Sequence, residues 1–289
     1  MRVLVATDLS EEAELALREG AEIARSTNDA LGLVHVLPPL QRESLFFPVR
    51  DTDIADKAAA VLERTKVRMR ELVERVAPRA DIFIDEGTDH VAICRRASDF
   101  RADLIVVGSH AHSGISRFVT DVATLVVAEA PCSVLVARPH PTRGPVIVAT
   151  DLSHASMRAV TVAAQEARRR KAPLEVVRAR RFVDLELAYL VQITPAIRSR
   201  MPESDSMPTS VRELLGKQHM DADWSELDGP AGSAIIRRAE SVAAELVVVG
   251  TRGGSALSRA HVGHIATKVA RDCTRSVLVV RAGVNEEPS

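Results

Sequence analysis

A glycine-rich loop follows the apolar run at residues 246–249, and its composition suits it to bind a phosphate. Its glycines are Gly250, Gly253 and Gly254, and nine residues separate Gly253 from Gly263. Glycines let backbone N–H groups approach a phosphate closely, and the N-terminus of a following helix favours negative charge. The loop is therefore predicted to bind phosphate, with a simple tight turn as the alternative.

The loop matches neither of the two common nucleotide-binding motifs. The chain contains no Gly-Lys-Ser/Thr sequence and no G-x-G-x-x-G sequence. Both motifs work by presenting backbone N–H groups to phosphates, so a nucleotide site in this chain has to be of another type.

Two aspartates stand at a second place where a ligand could bind. Asp8 and Asp151 each end a short apolar run and each precede Leu-Ser. In an open parallel sheet, ligands bind at the carboxyl ends of the strands, where such residues lie. An aspartate there can contact a ligand, or it can end the strand and cap the next helix. The sequence leaves both roles open.

The two aspartates lie within a sequence that occurs twice in the chain. The hexapeptide Val-Ala-Thr-Asp-Leu-Ser occurs at residues 5–10 and again at 148–153. The runs at 104–109 and 133–136 recur in similar form at 246–251 and 276–279. Because the period is the length of a domain, the chain is predicted to contain two copies of one globular fold. We expect domain 1 at residues 1–138, a Pro- and Gly-containing linker at 139–145, and domain 2 at 146–283.

Each copy alternates short β-branched runs with segments of helical period. Strands are expected at residues 2–7, 31–37, 81–85, 103–108 and 133–138, and helices at 54–76, 90–100 and 115–130. Strands that are apolar throughout indicate a parallel sheet covered on both faces. The expected fold class is α/β, as two tandem open parallel five-stranded sheets with helices on both faces. In the second copy, residues 182–210 depart from this pattern and are expected to form a mobile loop, with a lid or an interface as alternatives.

Composition excludes several classes of partner. The net charge is −1, and aromatic residues make up only 3% of the chain. Nucleic-acid binders need clustered cations or aromatic stacking platforms, so no nucleic-acid partner is expected. Three widely spaced cysteines favour a reducing compartment without disulfides or a zinc site. No apolar stretch is long enough to span a membrane, so a cytoplasmic protein is expected.

These features together resemble the universal stress protein family. The resemblance rests on the repeated hexapeptide, the glycine loop and the closing run Pro-Cys-Ser-Val-Leu-Val at 131–136, and it covers almost the whole chain. It implies an adenine nucleotide alpha hydrolase-like, Rossmann-like fold. After the fourth strand, the nucleotide-binding branch of the family carries the pattern G-x-x-G, nine residues, G-[S/T]. At the end of the first strand it carries an aspartate that contacts the adenosine.

The second copy matches this pattern except at its last position, where His264 replaces the serine or threonine. A histidine there could donate a hydrogen bond to a phosphate or could block the pocket. The resemblance implies that the bound nucleotide is ATP, or AMP or ADP, and that Mg²⁺ is held through its phosphates. The implied ATP-binding residues are Asp151, Ala179, Val249, Gly250, Arg252, Gly253, Gly263, His264 and Ile265.

The first copy departs further from the pattern. It keeps Asp8, Val36 and Gly108 at the implied positions, but Ala111 stands where the second glycine belongs. Asp121 falls at the phosphate position, where its negative charge would repel the ligand. These three retained residues therefore define a weaker site, and the first copy is predicted not to bind ATP by the family's route.

The resemblance implies a nucleotide-binding regulator of the stress response without dedicated catalytic residues, and at most slow ATP hydrolysis. The alternative is a protein-interaction module that binds no nucleotide, and a third hypothesis is an ATP-hydrolysing transferase. The family's domains pair through their last strands, which implies an internal pseudo-dimer, a further homodimer and an unidentified protein partner.

Overall fold

The computed structural model describes residues 1–27, 29–39, 51–109, 122–139, 143–179, 206–251 and 262–281. The chain divides into two compact units, Met1–Arg138 and Pro139–Ser289. Each unit is described by itself below.

The first unit is an open parallel sheet with the strand order β3-β2-β1-β4-β5. Strand β1 is central, so the Asp8 loop that follows it lies next to the carboxyl ends of β2 and β4. The elements along the chain are β1 (Arg2–Ala6), α1 (Glu11–Thr27), β2 (Ala30–Leu37), α2 (Asp51–Val76), β3 (Asp81–Glu86), α3 (Asp89–Phe100), β4 (Leu104–Gly108), α4 (Val122–Glu129) and β5 (Ser133–Ala137).

The second unit repeats this topology with the order β10-β9-β6-β7-β8. Here the central strand is β6, which places Asp151 next to the carboxyl ends of β7 and β9. Its elements are β6 (Val146–Ala149), α5 (His154–Arg170), β7 (Leu174–Ala179), α6 (Thr209–Lys217), β8 (Asp223–Leu227), α7 (Ala231–Ser241), β9 (Leu246–Gly250), α8 (His264–Asp272) and β10 (Ser276–Val280).

The cores of both units are built from aliphatic residues of the central strands and helices. Consecutive residues of β1 and of β9 are buried, which requires cover on both faces of each sheet. Helix α1 packs on α2 and α3 on α4 in the first unit, and α5 packs on α6 and α7 on α8 in the second. The predicted α/β fold class is thereby confirmed. The predicted helix at 115–130 is described from Val122 onward, since residues 110–121 lie outside the described ranges.

A buried polar network lies beside β7 in the second unit. Glu175 of β7 is buried, accepts a hydrogen bond from Ser225 Oγ at 2.6 Å, and pairs with Arg238 of α7 at 2.8 Å. The same register position in β2 is Gly32, which is packed closely by Phe83 and Phe100. A buried carboxylate in β7 thus occupies the position at which β2 has a glycine packed against two aromatic rings.

Candidate functional site

The loop after the first strand has the same backbone conformation in both units. Leu9 and Leu152 both adopt a left-handed conformation with φ of 65°, which is uncommon for a residue with a side chain. The preceding threonine stabilises each turn: the Leu9 N–H donates to Thr7 Oγ1, and the Leu152 N–H to Thr150 Oγ1, both at 3.0 Å. The repeated sequence therefore encodes a defined turn as well as the end of a strand.

Each aspartate shapes this turn, and the serine two residues later caps the helix. Asp8 Oδ1 accepts the Ser10 N–H at 2.9 Å, and Asp151 Oδ1 accepts the Ser153 N–H at 3.0 Å. Ser10 Oγ accepts the N–H of Ala13, the third residue of α1, at 3.2 Å, and Ser153 is the N-cap of α5. Helix capping, one of the two roles considered for the aspartates, is therefore performed by the serines.

The carboxyl group of Asp151 is held in its charged form. Partial burial works against the charge, but hydrogen bonds from Ser153 and Ser156 outweigh it and lower the pKa of Asp151 below its ordinary value. Ser156 also lies 3.0 Å from Thr150, Oγ to Oγ1, which fixes its hydroxyl at the start of α5. The second unit therefore presents an ionised carboxylate at the end of β6 at neutral pH.

This lowered pKa predicts how stability depends on pH. A group whose pKa is lowered by folding contributes stability above its unfolded pKa and loses that contribution as the pH falls through the folded value. The free energy of unfolding of Asp151→Asn is therefore expected to lie below that of the wild type at pH 7. Denaturant unfolding at successive pH values should show the difference shrinking below about pH 3.9, the ordinary pKa of aspartate. A difference that stays constant from pH 7 to pH 2 would contradict the assignment.

In the first unit, the carboxyl ends of β1, β2 and β4 surround a pocket of 270 Å³. Its walls also include Ala13 of α1 and the starts of α3 and α4, so six elements contribute to it. The residues that line it are Ala6, Thr7, Asp8, Ala13, Val34, His35, Val36, Asp89, Ile93, Val107, Gly108, Val122 and Ala123. The three residues retained by the first copy, Asp8, Val36 and Gly108, thus lie together in one concave site.

Two polar residues of this pocket, His35 and Asp89, were not among the residues predicted from sequence. His35 Nδ1 lies 2.8 Å from the carbonyl oxygen of Thr7. Because a carbonyl only accepts, Nδ1 is the donor of this hydrogen bond. Asp89 is the first residue of α3. The position of His35 near the carboxyl end of β2 was the available signal, since side chains at strand ends face the ligand edge of such sheets.

In the second unit, the described site residues lie at the ends of three adjacent strands. Asp151 follows β6, Ala179 ends β7, and Val249 and Gly250 end β9. Gly263 is the N-cap of α8, His264 is the exposed first residue of that helix, and Ile265 is half-buried. Arg252 and Gly253, which were also predicted for this site, lie outside the described residues.

Gly250 permits a close approach between β9 and the start of α5. A Cβ atom at this position would lie 2.8 Å from the carbonyl oxygen of Ala155 and 3.2 Å from Ser156 Cα. Both neighbours are backbone atoms, which cannot move aside as a flexible side chain can. Gly250 is therefore required by packing at the site edge, whatever its role toward a ligand.

This contact predicts opposite outcomes for two glycine substitutions. Gly250→Ala is expected to destabilise the chain by about 1–3 kcal/mol, the usual cost of overpacking. The matched variant Gly216→Ala adds its methyl in α6, where nothing lies within 4 Å. It should leave the free energy of unfolding unchanged or raise it by up to about 1 kcal/mol, because alanine favours helix. Urea unfolding of the two variants tests this, and equal effects would contradict the packing argument.

Two other features, a metal centre and a membrane-spanning helix, are absent from the described ranges. No group of three or more His, Cys, Asp and Glu side chains there is placed to hold a metal ion. No helix in those ranges combines the length and the apolar character that crossing a bilayer requires. Of the segment at 182–210, the described part begins at Ser206 and leads into α6, and the remainder lies outside the described residues.

Comparison with protein families decides the relationship that the repeat suggested. The model of the universal stress protein family matches residues 1–138 and again 142–281. The chain belongs to the universal stress protein family. It carries two family domains in tandem, which confirms the resemblance drawn from the sequence.

Relatives of known sequence and structure match either nearly the whole chain or about half of it. A universal stress protein of Mycobacterium tuberculosis strain H37Rv is 27% identical, with 96% of each chain covered. A crystal structure of a universal stress protein from Archaeoglobus fulgidus has a TM-score of 0.67 at 19% identity, covering 99% of this chain and 97% of the other, which shows the shared fold. Another family structure from Archaeoglobus fulgidus, solved in complex with dAMP, covers 48% of this chain and 99% of its own, with a TM-score of 0.32 at 21% identity.

Proposed function

We propose that this chain is an adenine-nucleotide-binding regulator of the stress response, with its ATP site in the second unit. The observation that carries the proposal is the convergence of Asp151, Ala179 and Gly250 on the carboxyl ends of three adjacent strands. This is where open parallel sheets bind their ligands, because helix N-termini and strand ends meet there.

Phosphate binding is assigned to the start of α8. The N-cap of that helix is Gly263, which makes no side-chain capping hydrogen bond. The N–H groups of the first helical turn have no partner within the helix, so they can donate to a phosphate. His264, the first residue of α8, is exposed, and its imidazole offers an N–H donor in either protonation state. Mg²⁺ would be held through the phosphates of ATP.

The nucleoside is assigned to the opposite side of this edge. Asp151 stays ionised next to the end of β7, and a carboxylate in this place can accept hydrogen bonds from ribose hydroxyls. Ala179 ends β7 and can present its backbone to the base. No role as a general base or nucleophile is assigned to these residues, because the proposed function is regulation by nucleotide binding.

Isothermal titration of the nucleotide-free protein with Mg-ATP tests this proposal. One ATP per chain is expected, because only the second copy carries the three glycines at the family's spacing. Gly253→Val should remove this binding, whereas Gly216→Val, which adds the same side chain in open space on α6, should leave it unchanged. Two ATP per chain would contradict the restriction to the second unit, and no binding would contradict the nucleotide site.

A second candidate function, a protein-interaction module that binds no nucleotide, is favoured by one observation. His264 stands where the nucleotide-binding branch has a hydroxyl, and a bulky ring there would close the phosphate site. Under this hypothesis the titration of the wild-type protein with Mg-ATP releases no binding heat.

In either case we propose a cytoplasmic homodimer with a protein partner. Light scattering of the purified chain tests the dimer, and a mass of 31.3 kDa would contradict it.

A further inference from the structure

Ser156, in the first turn of α5, joins the end of β6 to the start of that helix. Its Oγ accepts the Asp151 N–H at 3.3 Å and lies 3.0 Å from Thr150 Oγ1. The same hydroxyl donates to the Ser153 carbonyl oxygen at 3.0 Å. Ser156 is only 7% exposed, so these contacts are sheltered from water. One side chain therefore ties the backbone of Asp151 to the strand before it and to the helix after it.

The first unit forms the same turn without this hydroxyl. The repeat places Ala13 where the second unit has Ser156. Both backbone N–H groups donate to the serine three residues earlier, at 3.2 Å and 3.4 Å. Leu9 and Leu152 also share a φ of 65° in the two turns. The hydroxyl of Ser156 is therefore not needed to build the turn, and its role has to lie in what it does to its neighbours.

Ser156 lies where the two halves of the proposed ATP site meet. A Cβ atom at Gly250 would be 3.2 Å from Ser156 Cα, so the end of β9 approaches α5 at this residue. Ala13, its counterpart in the first unit, is one of the residues that line the pocket there. Ser156 is thus placed between the carboxylate that follows β6 and the glycine that ends β9.

The charge of Asp151 depends on the same hydroxyl. Partial burial acts to raise the pKa of Asp151, but hydrogen bonds from Ser153 and Ser156 lower this pKa below its ordinary value. An ionised carboxylate only accepts hydrogen bonds, and its bonds are about twice as strong as those between neutral groups. A change at Ser156 should therefore affect the ligand groups that donate to Asp151 and spare the groups that bind elsewhere.

We propose that Ser156 is a positioning residue of the ATP site, whose hydroxyl holds Asp151 in the orientation that accepts the ribose hydroxyls. The inference rests on the proposed function, because it takes ribose recognition by Asp151 as given. Ser156 itself is buried and already donates its hydroxyl hydrogen to Ser153, so it acts on the ligand through Asp151. The selectivity of the second unit for ribose is thereby assigned to a hydroxyl that Ala13 does not provide in the first.

Titration of the full chain with Mg-ATP and with Mg-2′,3′-dideoxy-ATP tests this proposal, because the dideoxy nucleotide lacks both ribose hydroxyls. Ser156→Ala should weaken ATP binding at least about tenfold, the effect of losing a hydrogen bond to a charged group. Its affinity for the dideoxy nucleotide should change by less than about twofold. The fold accommodates this alanine, since the first unit carries Ala13 at the same position.

Thr161→Val is the matched control. The Thr161 hydroxyl donates to the Met157 carbonyl oxygen further along α5, so this variant also removes a helix hydroxyl, but one without a contact to Asp151. It should leave both affinities unchanged. An equal loss of the two nucleotides in Ser156→Ala, or no loss of either, would overturn the proposal.

A measurement without nucleotide separates this proposal from the proposed function. Carbon NMR titration of the Asp151 carboxyl group, assigned with Asp151→Asn, should show a higher pKa in Ser156→Ala than in the wild type. Thr161→Val should leave this pKa unchanged. An unchanged pKa in Ser156→Ala would overturn the proposal even if the chain binds ATP. A raised pKa in a chain that binds no ATP would support the action of Ser156 on Asp151 and overturn the proposed function instead.

Discussion

Replacement of Gly263 by aspartate is expected to abolish Mg-ATP binding while leaving the fold intact. The backbone of Gly263 has φ of −61° and ψ of 144°, a conformation open to any residue. Aspartate is among the most favourable N-cap residues, so the free energy of unfolding should change by less than about 0.5 kcal/mol. The new carboxylate would, however, lie where the phosphates are proposed to bind. Two like charges at about 4 Å near a protein surface repel by up to about 4 kcal/mol.

The expected result is a loss of ATP affinity of at least about 100-fold by isothermal titration, or about 2.8 kcal/mol. Gly263→Asn is the matched control, because asparagine has the same size and the same capping ability but no charge. Its ATP affinity should exceed that of the aspartate variant at least tenfold. If both variants bind ATP like the wild type, the phosphates do not lie at the start of α8.

Replacement of Arg238 by methionine is expected to have the largest effect on stability among the changes considered. The Glu175 side chain is only 6% exposed, and Arg238 is its cationic partner, with an exposed fraction of 36%. Removing the arginine leaves a buried carboxylate paired only with the Ser225 hydroxyl. Removing one partner of a buried ion pair costs about 3–5 kcal/mol. Because the arginine is partly exposed, we expect Arg238→Met to lower the free energy of unfolding by about 3 kcal/mol.

The single tryptophan of the chain, Trp224, makes this prediction measurable in the second unit. It precedes Ser225 in β8, so its fluorescence during urea unfolding reports on the unit that contains the pair. Arg271→Met, which removes an arginine with 60% of its side chain exposed, should cost less than about 1 kcal/mol. Glu175→Gln/Arg238→Met should recover at least about 1 kcal/mol relative to Arg238→Met. Equal costs for the two arginines would contradict a buried pair.

The fold was predictable because the repeat and the strand composition carry the same information. Two identical hexapeptides, each followed by a helical period and by continuous apolar runs, predict two copies of one fold with a parallel sheet. The observed strands begin and end within about one residue of the expected positions. Helix ends are set by local capping, and Ser10 caps α1, a role that the sequence had left open for Asp8.

The pocket of the first unit was less accessible to prediction because its lining comes from six elements spread over the whole unit. Asp8, His35 and Asp89 carry no shared motif, and only the parallel topology brings them to one edge. The left-handed conformation of Leu9 and Leu152 was also hidden, since leucine has no preference for it. It is imposed by backbone N–H groups that donate to the neighbouring threonine and aspartate, a geometry that the sequence does not show.

A crystal structure of the chain grown with Mg-ATP tests the central claim most directly. The account predicts electron density for one nucleotide per chain, with its ribose at Asp151 and its phosphates at the N-terminus of α8. Triphosphate density in the pocket formed by Asp8, Val36 and Gly108, or an empty edge in the second unit at saturating ATP, would contradict it.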